Sequence, residues 1–458
     1  MKYSICPFLI ITGLFFVLIS PHFLTEGMFM DGLWYATLSK NLAAGFSSFW
    51  VPRLTETWVA WGQPPLAYLL QSPFFLLNGS LYMAKIYSVL TYICTGCLMF
   101  FVWRCIGGKT ADFWIVLLLW VLVPSVSWGA TENLLENTMS VFVMLSVLIY
   151  LKSIENQRFV YVVLSGISLA LAFLTKGFTG LYPLAFPMIY WLFMRETKLT
   201  RPIVDTFVMF ASLVLPLAAL FLFYPPANQF FQTYMSVQVV NSISHIQTVD
   251  SRFTIILFFF KDILLPLAVV GLIVFIAWKQ KVLRESWQRR NIKLAMVFFT
   301  LALAGVLPMM VSLKQRFFYL ITVFPIVALA AGVLLEPLIE NLRTNRTFER
   351  LVKVLSMVMI VAAVVSNVYF AGKIRRDKDF IEDIPLICSK IPENTIIGAD
   401  YDIHDKWSMM AYFYFEGKVS IDFKDGYEYY LCDKNSVPSD STYTVYASGS
   451  DLLLFHKP

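Results

Sequence analysis

Six charged residues beside the ends of long apolar stretches are the strongest candidates for chemistry in this sequence. They are three acids and three bases: Asp31, Glu132, Glu136, Lys176, Lys314 and Arg316. A charge at the edge of hydrocarbon is costly, which makes such residues functional candidates by default. Carboxylates can take a proton from a nucleophile, and cations can stabilise a departing anion such as a phosphate. Together the six residues predict an acid/base centre beside an anion-binding site.

Each of these residues also has a purely structural explanation. Asp31 alternatively caps a helix that ends before Gly45, since aspartate accepts hydrogen bonds from the first backbone N–H groups. Glu132 and Glu136 are four residues apart and predicted on one helical face, where they are alternatively solvated helix-end charges. The three cations alternatively anchor helix ends among lipid headgroups. From the residues alone, both explanations stay open.

Metal and cofactor chemistry find no support in the sequence. The histidines lack ligand spacing; they are His22, His245, His404 and His456. Nucleotide-binding loops and nucleophile elbows are absent. Cys94 and Cys97 lie one helical turn apart among apolar residues, which favours core packing over redox use. We therefore expect no metal, no cofactor and no nucleic-acid partner.

The elements that must position these charges are predicted to be transmembrane helices. The chain is 58% hydrophobic and only 14% charged, against roughly a quarter charged in soluble domains. The uncharged stretches are 3–25, 86–103, 113–131, 137–151, 159–175, 177–194, 206–249, 263–278, 294–313, 317–335 and 354–372. About 20 apolar residues cross a bilayer as a helix, so we predict eleven spans, with the long stretch 206–249 holding one span and a loop.

Lysine and arginine predict how these spans are oriented. With the first stretch retained as a helix and the N-terminus in the cytoplasm, alternate loops are rich in base. Those loops contain Arg104, Lys109, Lys152, Arg158, Arg195, Lys198, Arg201 and the ranges 279–293 and 343–353. The formal net charge of +6 therefore reports orientation rather than nucleic-acid binding. All six candidate charges then lie on the outer side, together with the C-terminus.

Three external regions interrupt or follow the spans. The stretch from about Tyr224 to Asp262 is aromatic and polar, and it contains Tyr234 and Gln238. Residues 25–85 form a loop rich in tryptophan, tyrosine and proline, which predicts short interfacial helices. Residues 373–458 combine an acidic helix-like segment at 377–390 with β-type runs at 395–398, 419–421, 427–431 and 443–446. The fold class is therefore an all-α polytopic membrane domain, 1–372, followed by a small extracytoplasmic α/β domain. Cys388 and Cys432 lie in that domain, where a disulfide is one possibility and free thiols the other.

The order of these features resembles the membrane glycosyltransferases of the C-type fold. It is most similar to the family of protein O-mannosyltransferases and lipid A aminoarabinose transferases, glycosyltransferase family 39. The matching residues are Asp31 and Tyr35, the segment Gln63-Pro64-Pro65-Leu66-Ala67-Tyr68, Glu136, the turn Leu174-Thr175-Lys176-Gly177, and Lys314 with Tyr319 and Pro325. Many relatives carry Glu-Lys or a histidine where this chain has Gly62 and Gln63, and an aspartate is commoner at the position of Glu136.

The resemblance implies an inverting glycosyltransferase of the bacterial inner membrane. Such an enzyme moves a hexosyl or pentosyl group from a polyprenyl-phosphate donor to a lipid, glycan or protein acceptor on the extracytoplasmic side. It implies Asp31 and Glu136 as catalytic residues and Lys176, Lys314 and Arg316 as ligands of the donor phosphate. The residues implied to bind substrate are Tyr35, Gln63, Tyr68, Glu132 and Tyr319.

Two other functions share this topology. A transporter or flippase of lipid-linked glycans would also need interfacial charges, but it would more often show repeated halves and charges deep within spans. No internal repeat is evident here. A lipid-glycan polymerase or ligase would also use external basic residues, typically in a large loop late in the chain, whereas the large loop here is the first.

Overall fold

The computed structural model describes residues 5–280, 288–342, 346–400, 403, 406–424, 426–436, 438 and 442–457. His404 and parts of the basic loops 279–293 and 343–353 lie outside these ranges. The described chain is dominated by helices: Cys6–Phe23, Met30–Ala43, Leu66–Leu77, Tyr82–Cys105, Phe113–Val121, Pro124–Gly129, Leu135–Asn156, Phe159–Lys176, Phe186–Met194, Thr200–Phe223, Pro225–Tyr234, Asn241–Ser244, Thr254–Lys279, Arg289–Val306, Phe324–Leu342, Arg346–Phe370, Lys378–Ile381, Ile384–Cys388 and Trp407–Gly417.

Within the described ranges, eight helical segments are long and apolar enough to cross a membrane. They are Cys6–Phe23, Tyr82–Cys105, Leu135–Asn156, Phe159–Lys176, Thr200–Phe223, Thr254–Lys279, Arg289–Val311 and Glu349–Phe370. The chain is therefore a multi-pass membrane protein, and the predicted all-α polytopic fold class is confirmed.

The other three predicted spans are interrupted helices. The stretch 113–131 is divided into Phe113–Val121 and Pro124–Gly129, because a proline lacks the N–H needed to continue the first helix. The stretch 177–194 begins with two short 3-10 segments before Phe186–Met194. The stretch 317–335 begins with the 3-10 segment Phe317–Thr322 and continues as Phe324–Leu342. The predicted count of eleven is therefore roughly matched.

The chain forms two compact units. Unit 1 contains residues 1–21, 62–64 and 88–369, and unit 2 contains residues 22–61, 65–87 and 370–458. Unit 1 has an apolar core built from the buried faces of its helices, with Trp103, Phe186 and Phe298 among its largest fully buried side chains. The sequence-based domain boundary at 372/373 stays a prediction.

Unit 2 contains two helices of the first loop, Met30–Ala43 and Leu66–Leu77, where short helices were predicted. The helices are linked where the Ser39 hydroxyl donates a hydrogen bond of 2.7 Å to Oε1 of Gln71, both side chains being buried. Helix Met30–Ala43 also packs on Trp407–Gly417, and the buried Tyr412 hydroxyl accepts a hydrogen bond from Met28 N. First-loop residues and the C-terminal segment therefore share one hydrophobic core.

The C-terminal segment of unit 2 carries a mixed five-stranded sheet of order β2-β1-β3-β5-β4. The strands are β1 Ile396–Ala399, β2 Ser420–Asp422, β3 Tyr429–Asp433, β4 Thr444–Ser448 and β5 Leu452–His456. β1 pairs in parallel with β2 and β3, whereas β5 pairs antiparallel with β3 and β4. Four strands were predicted close to these positions. β5 was missed because its sequence, Leu-Leu-Leu-Phe-His, lacks alternation.

A buried carboxylate fixes the turn before β5. The Asp383 side chain accepts hydrogen bonds from the backbone N–H groups of Ser450, Asp451 and Leu452 at 2.6, 2.7 and 2.9 Å. Hydrogen bonds to an ionised acceptor are the stronger class, so Asp383 ties its short helical segment to the sheet. The predicted acidic helix at 377–390 is two short helices, Lys378–Ile381 and Ile384–Cys388, on either side of this residue.

Candidate active site

A buried ion pair joins two helix ends in unit 1. Glu136 lies in the first turn of Leu135–Asn156, and Lys176 is the last residue of Phe159–Lys176. Each charge complements the dipole of its own helix, since acids favour N-termini and bases favour C-termini. The Lys176 ammonium forms a salt bridge with Oε1 of Glu136, and the two side chains are only 7% and 0% exposed. The structure therefore brings together two of the predicted site residues, which are 40 residues apart in the sequence.

Aromatic rings cover the ammonium of this pair. The Lys176 Nζ atom lies 4.8 Å from the ring centroid of Tyr319 and 5.5 Å from that of Phe318. Both distances are within the range of cation–π attraction. Tyr319 and Phe318 belong to the 3-10 segment Phe317–Thr322, so the turn that follows Lys314 and Arg316 is packed against Lys176.

Gly177 ends the lysine helix and makes room for a tyrosine. Its φ of 83° is one that residues with a side chain rarely adopt, and a Cβ at this position would overlap the Tyr234 hydroxyl. Tyr234 is 3% exposed and ends the helix Pro225–Tyr234. Burial raises the pKa of its hydroxyl, which therefore stays protonated at neutral pH. The glycine of the Leu-Thr-Lys-Gly turn thus admits a phenol next to Lys176.

Lys314 is held by an amide. Its Nζ donates a hydrogen bond of 3.3 Å to Oε1 of Gln238, and its backbone N–H donates to the Ser312 hydroxyl at 2.9 Å. Gln238 lies on the π-helix Met235–Val240, which continues the helix that ends at Tyr234. π-Helical turns are rare and frequently occur at functional sites. Sequence reasoning noted Tyr234 and Gln238 only as part of an aromatic and polar loop.

The buried side chain of Gln315 shapes the turn that presents Lys314. Its amide nitrogen donates hydrogen bonds to the carbonyls of Arg252 and Ser312, both at 2.9 Å, and its Oε1 accepts from Ile255 N at 2.7 Å. Thr248 adds a hydroxyl bond to the Gln315 carbonyl at 2.9 Å. Gln315, which lies between Lys314 and Arg316 in the sequence, therefore fixes the turn at 312–316 against the segment 248–255. This role was not predicted from the sequence. The only signal for it was a neutral glutamine between Lys314 and Arg316.

The remaining predicted residues of unit 1 differ in their surroundings. Arg316 is exposed, and Gln63 is half-buried in the segment 62–64. Glu132 is buried, but it lies in a turn before the helix that begins at Leu135. Asn133, with a φ of 54°, separates it from the helix. The prediction that Glu132 and Glu136 share one helical face is therefore wrong, because the left-handed residue breaks the helical spacing.

Asp31, Tyr35 and Tyr68 come together within unit 2. Asp31 lies in the first turn of Met30–Ala43, whose N-cap residue is Phe29 and has no side-chain capping bond. The simple capping explanation of Asp31 is therefore wrong. Tyr35 follows one turn later, and its ring centroid lies 5.8 Å from that of Tyr68. Burial raises the pKa of Tyr68, and the Asp31 carboxylate raises it further, so this phenol stays protonated.

The described residues contain no group of three or more histidine, cysteine or acidic side chains placed to hold a metal ion. Cys388 and Cys432 are both free thiols. Burial raises the pKa of each thiol to about 12, which leaves little nucleophilic thiolate at neutral pH.

Two comparisons relate this geometry to known proteins. The family model described as dolichyl-phosphate-mannose-protein mannosyltransferase matches residues 62–224, a range that includes Glu136, Lys176 and Gly177. A crystal structure of ArnT from Cupriavidus metallidurans bound to undecaprenyl phosphate superposes with a TM-score of 0.69 at 16% sequence identity, covering 99% of this chain and 98% of that one. This chain has the ArnT fold.

The apo state of ArnT from Cupriavidus metallidurans gives nearly the same result. Its TM-score is 0.67 at 15% identity, covering 98% of this chain and 97% of that one. No curated protein matches the chain by sequence. The resemblance to the family 39-like glycosyltransferases predicted from the sequence is confirmed, with the ArnT fold extending through the C-terminal sheet.

Proposed function

We propose that this protein is an inverting glycosyltransferase that takes a sugar from a polyprenyl-phosphate donor. The observation that carries the proposal is the arrangement in unit 1, where Tyr319 covers the Lys176–Glu136 pair and the turn just before it presents Lys314. Lysines beside aromatic rings at the ends of apolar helices suit a phosphate joined to a lipid tail. The ArnT fold adds support, since that protein was crystallised with undecaprenyl phosphate.

The reaction is a single displacement at the anomeric carbon of the sugar. An acceptor hydroxyl oxygen forms the new bond to that carbon while the bond from the carbon to the phosphate oxygen breaks. The electron pair of the broken bond leaves with the phosphate, which becomes a polyprenyl monoester. The acceptor proton goes to a carboxylate base, and the anomeric configuration inverts because attack and departure occur on opposite faces.

The cations stabilise the charge that develops on the phosphate. Lys314 and Arg316 lie on the turn held by Gln315, and we assign them to the phosphate oxygens. Lys176 contributes a third positive group, and Glu136 orients its ammonium. Positioned charges that need no rearrangement during the reaction are the most effective stabilisers of a leaving anion.

Asp31 is proposed as the base. It lies at the start of a helix, half-buried, and close enough to Tyr68 to raise the pKa of that phenol. Desolvation of a carboxylate raises its basicity, which favours proton abstraction. Tyr35 and Tyr68 form an aromatic wall beside Asp31, and we assign them, with Gln63, Glu132 and Tyr319, to substrate binding.

The proposed location is the outer face of the bacterial inner membrane, with a cytoplasmic N-terminus and an extracytoplasmic C-terminal segment. The support is the excess of lysine and arginine in alternate loops. The acceptor is a hydroxyl of a lipid, a glycan or a protein.

Phosphorus NMR tests the proposed reaction and the proposed side of the membrane in one experiment. Right-side-out membrane vesicles containing the protein receive a panel of polyprenyl-phosphate hexoses and pentoses from outside, with a membrane extract as the source of acceptors. We expect the donor phosphodiester signal to be replaced by a phosphomonoester signal, with vesicles lacking the protein as the control. Donor that crosses the bilayer without conversion would identify a transporter, and the proposal would be wrong.

A further inference from the structure

The hydrogen bond between Lys314 and Gln238 pairs a cation with a neutral group. The ammonium donates to Oε1 of Gln238 at 3.3 Å, and Lys314 is half-buried. An amide oxygen orients an ammonium through one directional bond without cancelling its charge. The contact between Lys176 and Glu136 is of another kind, because its acceptor is a carboxylate that carries a negative charge.

The segment that carries Gln238 is anchored on the Lys176 side of unit 1. Tyr234, four residues earlier, is buried with its hydroxyl against Gly177, the residue after Lys176. A Cβ at Gly62 would lie 4.0 Å from Oε1 of Gln238, so the segment 62–64 approaches the same amide. The segment from Tyr234 to Gln238 therefore runs from the Lys176 turn to Lys314.

We propose that Gln238 is a positioning residue, which orients the Lys314 ammonium toward the donor phosphate. This inference rests on the proposed function and adds a residue that the sequence motifs do not include. The amide places the ammonium and, being neutral, does not itself compete with the phosphate for it. A carboxylate at the same position would attract the ammonium more strongly and compete with the phosphate for it.

The test measures binding of a polyprenyl phosphate to the purified full-length protein, together with KM and kcat for transfer. Gln238→Ala removes one hydrogen bond and should weaken binding about fivefold, with the loss mainly in KM. Gln238→Glu has nearly the same shape and should weaken binding about tenfold or more, because it sequesters the ammonium. Gln232→Glu is the matched control. Its amide lies exposed two residues before Tyr234 and bonds to Asn228, so binding should not change.

A double-mutant cycle separates positioning from a general structural role. If Gln238 acts through Lys314, Gln238→Ala should have almost no effect in a Lys314→Ala protein. A fivefold loss that persists in that background would overturn the inference and leave the proposed function intact. Equal effects of Gln238→Glu and Gln232→Glu would also overturn it. A wild-type protein that neither binds polyprenyl phosphate nor transfers sugar would remove the proposed function, and this inference with it.

Discussion

The two lysines of the candidate site are held in different ways. Lys176 terminates a long helix, is buried, and forms a salt bridge with Glu136 at the start of another helix. Lys314 lies in an irregular turn, is half-buried, and bonds to the Gln238 amide. The first cation belongs to the helical framework, whereas the second belongs to a turn whose shape depends on the Gln315 hydrogen bonds.

This difference separates structural from chemical roles. A buried ion pair carries a large desolvation cost, so each charge requires the other. We therefore expect the removal of either charge alone to lower stability, and we expect Lys176 to be needed for activity as well. The turn that carries Lys314 is fixed by hydrogen bonds of Gln315 and Thr248 that do not involve the lysine side chain. We therefore expect Lys314 to be needed for activity alone.

The largest expected effect comes from breaking the buried pair. Glu136→Leu leaves the Lys176 ammonium buried without its carboxylate, which typically costs about 3–5 kcal/mol. We expect a clearly lower unfolding temperature for the purified protein in detergent, measured by tryptophan fluorescence or circular dichroism. The double variant Glu136→Leu with Lys176→Leu should recover most of this stability, because neither charge then remains buried.

The same pair of variants separates stability from catalysis. The stable double variant should still lack transfer activity, since the ammonium beside Tyr319 is gone. If Lys176 were only a solvated headgroup anchor, Glu136→Leu would unfold at the wild-type temperature. That result would remove the distinction drawn between the two lysines.

A smaller effect is expected at the turn. Lys314→Ala should weaken polyprenyl-phosphate binding roughly tenfold to a hundredfold, since hydrogen bonds to charged groups contribute about 1.5–3 kcal/mol. The unfolding temperature should stay within a degree or two of wild type, roughly the range expected for a change of a few tenths of a kcal/mol. Lys261→Ala is the control, because Lys261 is an exposed lysine on the helix Thr254–Lys279. Equal binding by the Lys314 and Lys261 variants would exclude Lys314 from the phosphate site.

The helices that carry Lys176 and Glu136 were predictable from the sequence. Long uncharged stretches dictate helices, and the Leu-Thr-Lys-Gly pattern places a lysine at a helix end followed by a glycine with positive φ. The motif resemblance also pointed to Glu136 and Lys176. Their salt bridge was not predicted, because pairing across 40 residues depends on how two helices pack.

The surroundings of Lys314 were much less predictable from the sequence. Gln238 lies on a π-helix, and no periodic pattern marks six residues of that kind in an irregular loop. The Gln315 amide bonds to backbone carbonyls of other segments. Every residue has such a carbonyl, so the sequence does not show which ones the amide will reach. The position of Glu132 was predicted wrongly because a regular helix was assumed through Asn133, where the backbone is left-handed.

The rate of sugar transfer by Asp31→Asn tests the proposed chemistry most directly. Asparagine keeps the shape of the side chain but cannot take the acceptor proton. We expect transfer to fall at least roughly a hundredfold, while polyprenyl-phosphate binding and the unfolding temperature, measured on the same preparation, stay at wild-type values. An Asp31→Asn protein with normal turnover would show that Asp31 is not the base and make Glu136 the next carboxylate to test.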